Sequence, residues 1–352
     1  MTPTSIAFIG TVGVPNVYGG FEAFLEACVP LLVKHGHRVT VSCDASRYAD
    51  HNPYWNGSTR VFIHIKANGA TSVFHDALAF FKVFLSSKNI VVLGVSAGIF
   101  FPIFRLLCLL TGKNLIVNVD GIEWRRTKFS LFKRMFLRIS DAMAQIFSDK
   151  VIIDNEGLRP YLTASGKKKA IYVPYSGDHV LRLPYESATN DYDLLSICRI
   201  EPENNCDLLL EAFRNLGEGR YIFVGNWDSS EYGRNLRAKF KNTPGLTMHD
   251  PIYDINQLAT LREGCKGYIH GHSVGGTNPS LVEMLFYDAP IAAFDCIFNR
   301  NTADADAEYF SNSTELTALM HRFINNSYRK PKSSRSKFTA NSVVHGYEST
   351  FS

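Results

Sequence analysis

Apolar residues come in short unbroken runs along the chain, and between most runs the apolar positions fall at helical spacing. "SIAFIG" leads into "FEAFLEACVPLLVKHG" and "RVTVSC"; "VFIHIK" into "FHDALAFFKVFL" and "IVVLGV"; "NLIVNV" into "FSLFKRMFLRISDAMAQIF" and "KVIIDN". A strand with one wet face alternates apolar and polar residues, whereas runs without alternation are buried on both faces, as in a parallel sheet covered by crossover helices. The first half is therefore expected to be a doubly wound α/β domain. After "AIYVPYSGDHVLRLPYESATNDYD", rich in Pro, Ser and Asp, the rhythm restarts. "DLLSICRI", "CDLLLEAFRNL", "RYIFVG", "SEYGRNLRAKF", "LTMHDPIYD", "NQLATLREG", "GYIH", "SLVEMLFY" and "PIAAF" predict a second domain of the same class. The expected divisions are 1–185, 186–330 and a basic, polar tail over 331–352 that packs back on the first domain or frays. Two such domains on a short linker would turn the carboxyl ends of both sheets towards a common cleft.

One run needs a separate decision. "IVVLGVSAGIFFPIFRLLCLL", Ile90 to Leu110, is 21 residues with one charge, Arg105, which is long enough for a membrane span. Gly94, Gly98 and Pro102 break it, and its first part is β-branched while its second is rich in Phe and Leu. A buried strand, a turn and a short helix fit better, with "FFPIFRLLCLL" left as a candidate apolar surface patch.

Composition adds limits. With 352 residues, 45% hydrophobic and 12% aromatic, the chain can fill two cores. A formal net charge of +4 is small for this length, so no nucleic-acid partner is expected. The seven cysteines form no CxxC pair and sit mostly in apolar runs, as core residues of a reducing compartment do. "SIAFIG" begins too early for an export signal, so a cytoplasmic location is expected and the sequons at Asn56 and Asn312 are read as chance.

Candidate chemistry lies where strands end. The first strand runs into "GTVGVPNVYGGFEAFLE", whose Gly10, Gly13, Gly19 and Gly20 suit close approach of an anion or sugar, or a plain tight turn. The spacing is not the dinucleotide fingerprint, and no acidic residue is expected to end the second strand in that manner. "NVDGIEWRRTKFS" places Asp120, Glu123 and Trp124 after a parallel strand, where carboxylates accept hydrogen bonds from hydroxyls or take a proton; a turn residue and an N-cap are the alternatives. Arg125, Arg126, Lys128, Lys133, Arg134 and Arg138 then alternate with Phe and Leu, either as a face for anionic lipid or as a solvated face over a core. "ICRIEPENN" sets Arg199 at a strand end, suited to bidentate phosphate contact or to an ion pair with Glu201 or Glu203.

"YIHGHSVGGTNPSLVE" reads as a strand, a glycine turn and a helix starting at Pro279 with Asn278 as cap. Backbone N–H groups of Gly275, Gly276 and Thr277 would then face a diphosphate. Glu283, one turn in, would accept ribose hydroxyls, and His272 would bond the phosphate or sugar. His270 and His272 have the spacing of a metal half-site, but no third ligand accompanies them, so no metal is expected.

Taken together, "IGTVGVPNVYGGFEAFLE", "VNVDGIEWRRTKFS", "RIEPENN" and "YIHGHSVGGTNPSLVE" resemble the branch of bacterial glycosyltransferase family 4 that contains rhamnosyltransferases of surface polysaccharide assembly. The resemblance spans Ile9 to Glu283. It implies the GT-B fold, two Rossmann-like domains facing a cleft, and metal-independent retaining transfer from a nucleotide-diphosphate sugar to a lipid-linked oligosaccharide at the inner membrane face. Matched motif by motif, Arg199 would hold the donor diphosphate, Glu283 the ribose, and the turn from Gly275 to Asn278 the phosphates and sugar. Asp120 and Glu123 would lie against the donor sugar, and the loop of Gly13, Tyr18, Gly19 and Gly20 would border the acceptor and the diphosphate. The chain departs from the broad pattern twice, with Gly275 for a Glu and Asn204 for a Lys. Arg199, backbone amides and His272 would then neutralise more of the leaving group's charge. A nucleotide-sugar epimerase of the same fold and a non-catalytic sugar-nucleotide-binding subunit are the alternatives.

Overall fold

The computed structural model describes residues 2–17, 19–125, 129–181, 192–325 and 332–351. Tyr18, Arg126, Lys128 and the expected boundary near 185 lie outside them. The chain forms two compact units, unit 1 from Met1–Ser176 with Thr339–Ser352, and unit 2 from Gly177–Phe338.

Unit 1 contains β1 (Ser5–Ile9), β2 (Arg38–Asp44), β3 (Tyr54–Trp55), β4 (Ser58–Ile63), β5 (Asn89–Leu93), β6 (Asn114–Asn118), β7 (Lys150–Ile153) and β8 (Ala170–Tyr172). Their order across the sheet is β3-β4-β2-β1-β5-β6-β7-β8, and only the β3–β4 pair is antiparallel. Helices α1 (Gly20–Lys34), α2 (Ser72–Phe84), α3 (Phe101–Thr111), α4 (Leu131–Phe147) and α5 (Ala164–Lys169) make the crossovers. From β1 the chain steps outward through α1 to β2, whereas from β5 it steps the other way to β6 and β7. With right-handed crossovers, α1 covers one face and α2, α3 and α4 the other. Phe24, Leu25 and Leu32 of α1 are buried against the sheet core of β1 and β2. On the other face Phe80 of α2 stacks on Phe104 of α3, ring centroids 3.8 Å apart.

The run from Ile90 to Leu110 resolves into β5, a turn and α3. Among the described residues no helix is long and apolar enough to cross a membrane. "AIY", which composition grouped with the linker, is the edge strand β8, paired in register with β7.

Unit 2 contains β9 (Leu194–Ile197), β10 (Tyr221–Val224), β11 (Leu246–His249), β12 (Gly267–His270), β13 (Ile291–Phe294) and β14 (Glu308–Phe310), all parallel, in the order β11-β10-β9-β12-β13-β14. Its helices are α6 (Cys206–Leu216), α7 (Glu231–Phe240), α8 (Ile255–Gly264), α9 (Pro279–Met284), α10 (Ile297–Ala303) and α11 (Ser313–Asn325). From β9 the chain winds towards β11 and from β12 towards β14, so the direction reverses between β9 and β12. Loops at the carboxyl ends of strands that flank such a reversal are where open α/β sheets bind ligands.

Unit 2 takes up the chain at Gly177, which packs against Val282 and Phe286, while Val180 joins its core and accepts a 3.0 Å hydrogen bond from Tyr287 Oη. The tail divides. Ser333 and Ser334 bond Asp306, and Phe338 is buried in unit 2, whereas α12 (Ala340–Glu348) returns to unit 1. There Tyr347 stacks on Phe24 at 4.7 Å, and Glu348 meets His35 at 2.7 Å, His37 at 3.1 Å and His345 at 3.0 Å. Thr4 N–H donates to His37 Nδ1, so His37 carries its proton on Nε2 and donates it to Glu348.

Candidate functional site

The two motif loops of unit 2 sit at the reversal between β9 and β12 and are laced together. Asn205 takes a left-handed conformation, φ +48°, and its Nδ2 donates to Gly271 O at 2.8 Å. Ser273 donates from N and Oγ to Glu203 O, both at 2.9 Å. Asn204 uses both ends of its amide internally, donating to Arg199 O at 2.7 Å and receiving His272 Nδ1–H at 2.7 Å. Rather than offering a free amide to a ligand, Asn204 fixes His272 relative to the Arg199 loop.

The Arg199 side chain is exposed, and its guanidinium has no hydrogen-bond or ion-pair partner among the described residues. The ion pair with Glu201 or Glu203 that the sequence allowed is not formed. A solvated cation at the mouth of a parallel sheet keeps all its donors for an anion.

With Nδ1 of His272 committed to Asn204, its Nε2 edge lies towards Gly275, 3.7 Å from where a Cβ would stand. Gly275 itself has φ +111°, a conformation that L side chains rarely adopt. A carboxylate-bearing residue at this position would be strained in this backbone. Asn278 caps α9, accepting from Ser280 N at 3.0 Å, with Pro279 in the first turn. That helix is only six residues long, so its dipole adds little. The groups here with the chemistry to meet an anion are the backbone N–H groups of Gly275 and Gly276 and the Arg199 guanidinium, rather than a helix dipole.

Glu283 lies further along α9, but it is not an open acceptor awaiting a ligand. The Arg262 guanidinium from α8, itself buried, bonds Oε2, and His179 Nε2 stands 3.4 Å from Oε1. Burial pushes the Glu283 carboxyl up, but the charges and hydrogen bonds of Arg262 and His179 outweigh it and hold the pKa below the usual range. One edge stays accessible, with 17% of the side chain exposed, which leaves room for hydroxyl donors. Sequence reading found neither Arg262 nor His179. "LATLREG" looks like an ordinary helix end, and only folding brings it to a residue 21 positions away. His270 is buried and its pKa falls to about 3 through burial and then His272, so it is neutral.

In unit 1, Asp120 follows β6 with φ +57°, a conformation uncommon outside glycine. Its N–H donates to Asn118 Oδ1 at 3.0 Å, and Tyr175 Oη donates to its Oδ1 at 3.2 Å. Asn118 Nδ2 donates in turn to Tyr347 Oη at 2.8 Å, so α12 supports the Asp120 turn from below. Burial, then the Asp120 charge, raises the Tyr175 pKa well above the ordinary phenol value, so Tyr175 stays a donor. Glu123 is half-buried in the single turn Glu123–Arg125. Trp124 bonds Asp141 at 3.1 Å, and Arg125 bonds Tyr161 Oη at 2.9 Å. Lys133 lies 3.7 Å over Phe129, Arg138 5.3 Å over Trp124, and Arg134 Nε donates to Trp124 O at 2.9 Å.

Part of the first glycine loop has a packing explanation. Gly13 has φ +123°, and a Cβ there would strike Cys43 at the end of β2. Glu22 is buried beneath the loop, accepting from Thr11 Oγ1 at 2.6 Å and Val12 N at 2.7 Å. Gly19 and Gly20 open α1 without a side-chain cap. Asp44 is the last residue of β2. Both its oxygens are taken, by Ser46 and by Ala67 N at 2.9 Å, so it closes a turn.

Residues 4–178 match the family described as Domain of unknown function (DUF1972). Sucrose-phosphate synthase from Thermosynechococcus elongatus superposes with a TM-score of 0.73 at 12% identity, covering 99% of this chain and 95% of that one. Anabaena HepE, solved in complex with UDP and glucose, gives 0.74 at 13% identity over 99% of both chains. The fold is GT-B. A putative UDP-N-acetylglucosamine 2-epimerase from Listeria monocytogenes shares it too, with a TM-score of 0.61, 12% identity, and 99% and 97% coverage. No curated protein sequence is similar enough to this chain to be matched. Within GT-B, the loops at the reversal of the second sheet are the ones that carry Arg199 and the Gly275 turn in this chain.

Proposed function

We propose that the protein is a retaining glycosyltransferase. It moves a hexose or deoxyhexose, with rhamnose favoured, from a nucleotide-diphosphate sugar to a lipid-linked oligosaccharide during surface polysaccharide synthesis. The observation that carries the proposal is the unpartnered Arg199 guanidinium, tied through its own carbonyl and Asn204 to His272 and the Gly275 turn at the strand reversal of unit 2. Arg199 and the turn amides bind the donor diphosphate and stabilise the charge that develops as the bond to the anomeric carbon breaks. Glu283, kept ionised by Arg262, accepts the ribose hydroxyls. Asp120 and Glu123, on unit 1, act on the sugar as acceptors of hydroxyl protons. Transfer needs no metal in this scheme, because fixed cationic and N–H groups take the place of one. Work on a lipid-linked acceptor places the protein at the inner face of the cytoplasmic membrane, with Arg125, Lys133, Arg134 and Arg138 towards anionic headgroups.

Radiolabelled sugar nucleotides offered with and without a lipid-linked acceptor test the proposal. Label should enter the acceptor with the native chain, and Arg199→Ala should lower transfer at least about a hundredfold without loss of fold. Conversion of the donor with no acceptor present would establish an epimerase instead. Donor binding with no turnover on any acceptor would establish a binding subunit.

A further inference from the structure

In a doubly wound domain a covering helix is apolar on the side facing the sheet and polar outside. The layer formed by α2, α3 and α4 breaks this rule. Facing inward, Phe80, Val83, Phe104, Cys108 and Ala144 are fully buried. Facing outward, α2 presents Phe74, Leu78 and Phe81, with Leu85 at its end, spaced by four, three and four residues. Ile99, Ile103, Leu106 and Leu110 repeat that spacing along α3 and the turn before it. On α4 the exposed apolar residues are Leu131, Phe132, Met135, Phe136, Ile139 and Ile146. Exposure reaches 86% at Leu85, 75% at Leu110 and 82% at Phe132. These are second helical stripes on the side where solvent contact is expected.

The three helices form one layer. Phe104 of α3 stacks on Phe80 and meets Phe81 edge-on at 6.1 Å, joining α3 to α2. Ser140 of α4 donates to Val95 O, in the turn before α3, at 2.6 Å. Charge decides what the layer meets. The helices contain two carboxylates: Asp76 is buried against His75, and Asp141 is held by Trp124 and Gln145. Their outward charges are Lys82, Arg105, Lys133, Arg134 and Arg138, of which Arg105 is paired with Asp149. A broad apolar surface whose unpaired outward charges on these helices are all cations complements an anionic lipid bilayer, with the apolar residues entering the acyl boundary and the cations staying at the phosphates.

We infer that the outer face of α2, α3 and α4 docks on an anionic membrane surface. This deepens the membrane placement proposed above, which drew on the basic residues around α4, by assigning contact to the apolar stripes of α2 and α3. The test is cosedimentation with mixed phosphatidylglycerol and phosphatidylcholine vesicles, compared with phosphatidylcholine alone. The native chain should pellet with the anionic vesicles and less with the neutral ones. Leu106→Glu/Leu110→Glu should lower that partition at least about tenfold. Because both positions are exposed, its circular dichroism and its thermal shift with nucleotide should match the native chain. Phe132→Glu, on another helix, should act in the same direction. The inference is overturned if the native chain stays in the supernatant, or if the variants pellet as well as it does. A concentration-dependent dimer in sedimentation equilibrium, broken by the same substitutions, would also overturn it by making a second copy the occupant. Vesicle binding by a protein that transfers no sugar would leave this surface standing and remove the transferase proposal.

Discussion

The Glu283–Arg262 pair decides how the proposed ribose site behaves. Removing one member of a buried ion pair strands the other charge, typically at a cost of about 3–5 kcal/mol; partial exposure of Glu283 places Arg262→Met near the low end, at about 3 kcal/mol in urea unfolding. Replacing both by methionine should recover most of that loss, since nothing charged is left buried, but should not recover nucleotide binding. Recovery of both together would show that the carboxylate touches no ligand. The pH dependence follows from the same pair. The folded pKa of Glu283 is depressed, so its contribution to stability is complete above the ordinary glutamate value of about 4.3. It disappears as pH falls through the folded value. Urea midpoints of the native chain should therefore fall more steeply below about pH 4 than those of the double methionine variant.

At the scale of elements, α12 shows why part of the Asp120 site was hidden in the sequence. "NSVVHGYES" reads as a weak helix, and nothing local says that Tyr347 reaches Asn118 across 229 positions of sequence. Tyr347→Phe removes the hydroxyl that satisfies buried Asn118 Nδ2 and should cost about 1–3 kcal/mol. Because Asn118 Oδ1 holds Asp120 N–H, the same substitution should lower kcat while the donor's Kd stays unchanged. An unchanged kcat would make α12 a purely structural element. The long parallel strands were legible because burial on both faces leaves unbroken apolar runs. The two-residue β3 and the three-residue β8 and β14 were not, since elements that short have no period to detect. Arg199 was legible through its place at a strand end; Arg262 and His179 were not, because long-range pairing leaves no local signal.

Across the whole molecule, the parallel order of both sheets was readable from rhythm, whereas the unit division at 176/177 with return at 338/339 depends on which core Gly177, Phe338 and Tyr347 enter. The base and sugar of the donor leave no such trace, and a ligand series must supply them. The proposed donor groups Arg199, the Gly275 turn and Glu283 all belong to unit 2, while Asp120 belongs to unit 1. A ligand that binds only the folded state stabilises it by RT ln(1 + [L]/Kd), about 2.7 kcal/mol at a hundred times Kd, which moves the melting temperature by about a few degrees in a chain of this size. Among dTDP, UDP and GDP, one should give that shift, and dTDP would support rhamnose as the sugar. Arg199→Ala should erase the shift. Asp120→Gly should keep it but not raise the unliganded melting temperature: glycine relieves a left-handed conformation that costs on the order of 1 kcal/mol for other residues, and the buried Tyr175 hydroxyl loses its acceptor, at a cost of about 1–3 kcal/mol. Since the same variant loses the proposed carboxylate, it should bind donor as before and transfer little sugar. An Asp120→Gly protein that transfers at the native rate would remove Asp120 from the chemistry and leave its backbone conformation as a feature of the turn.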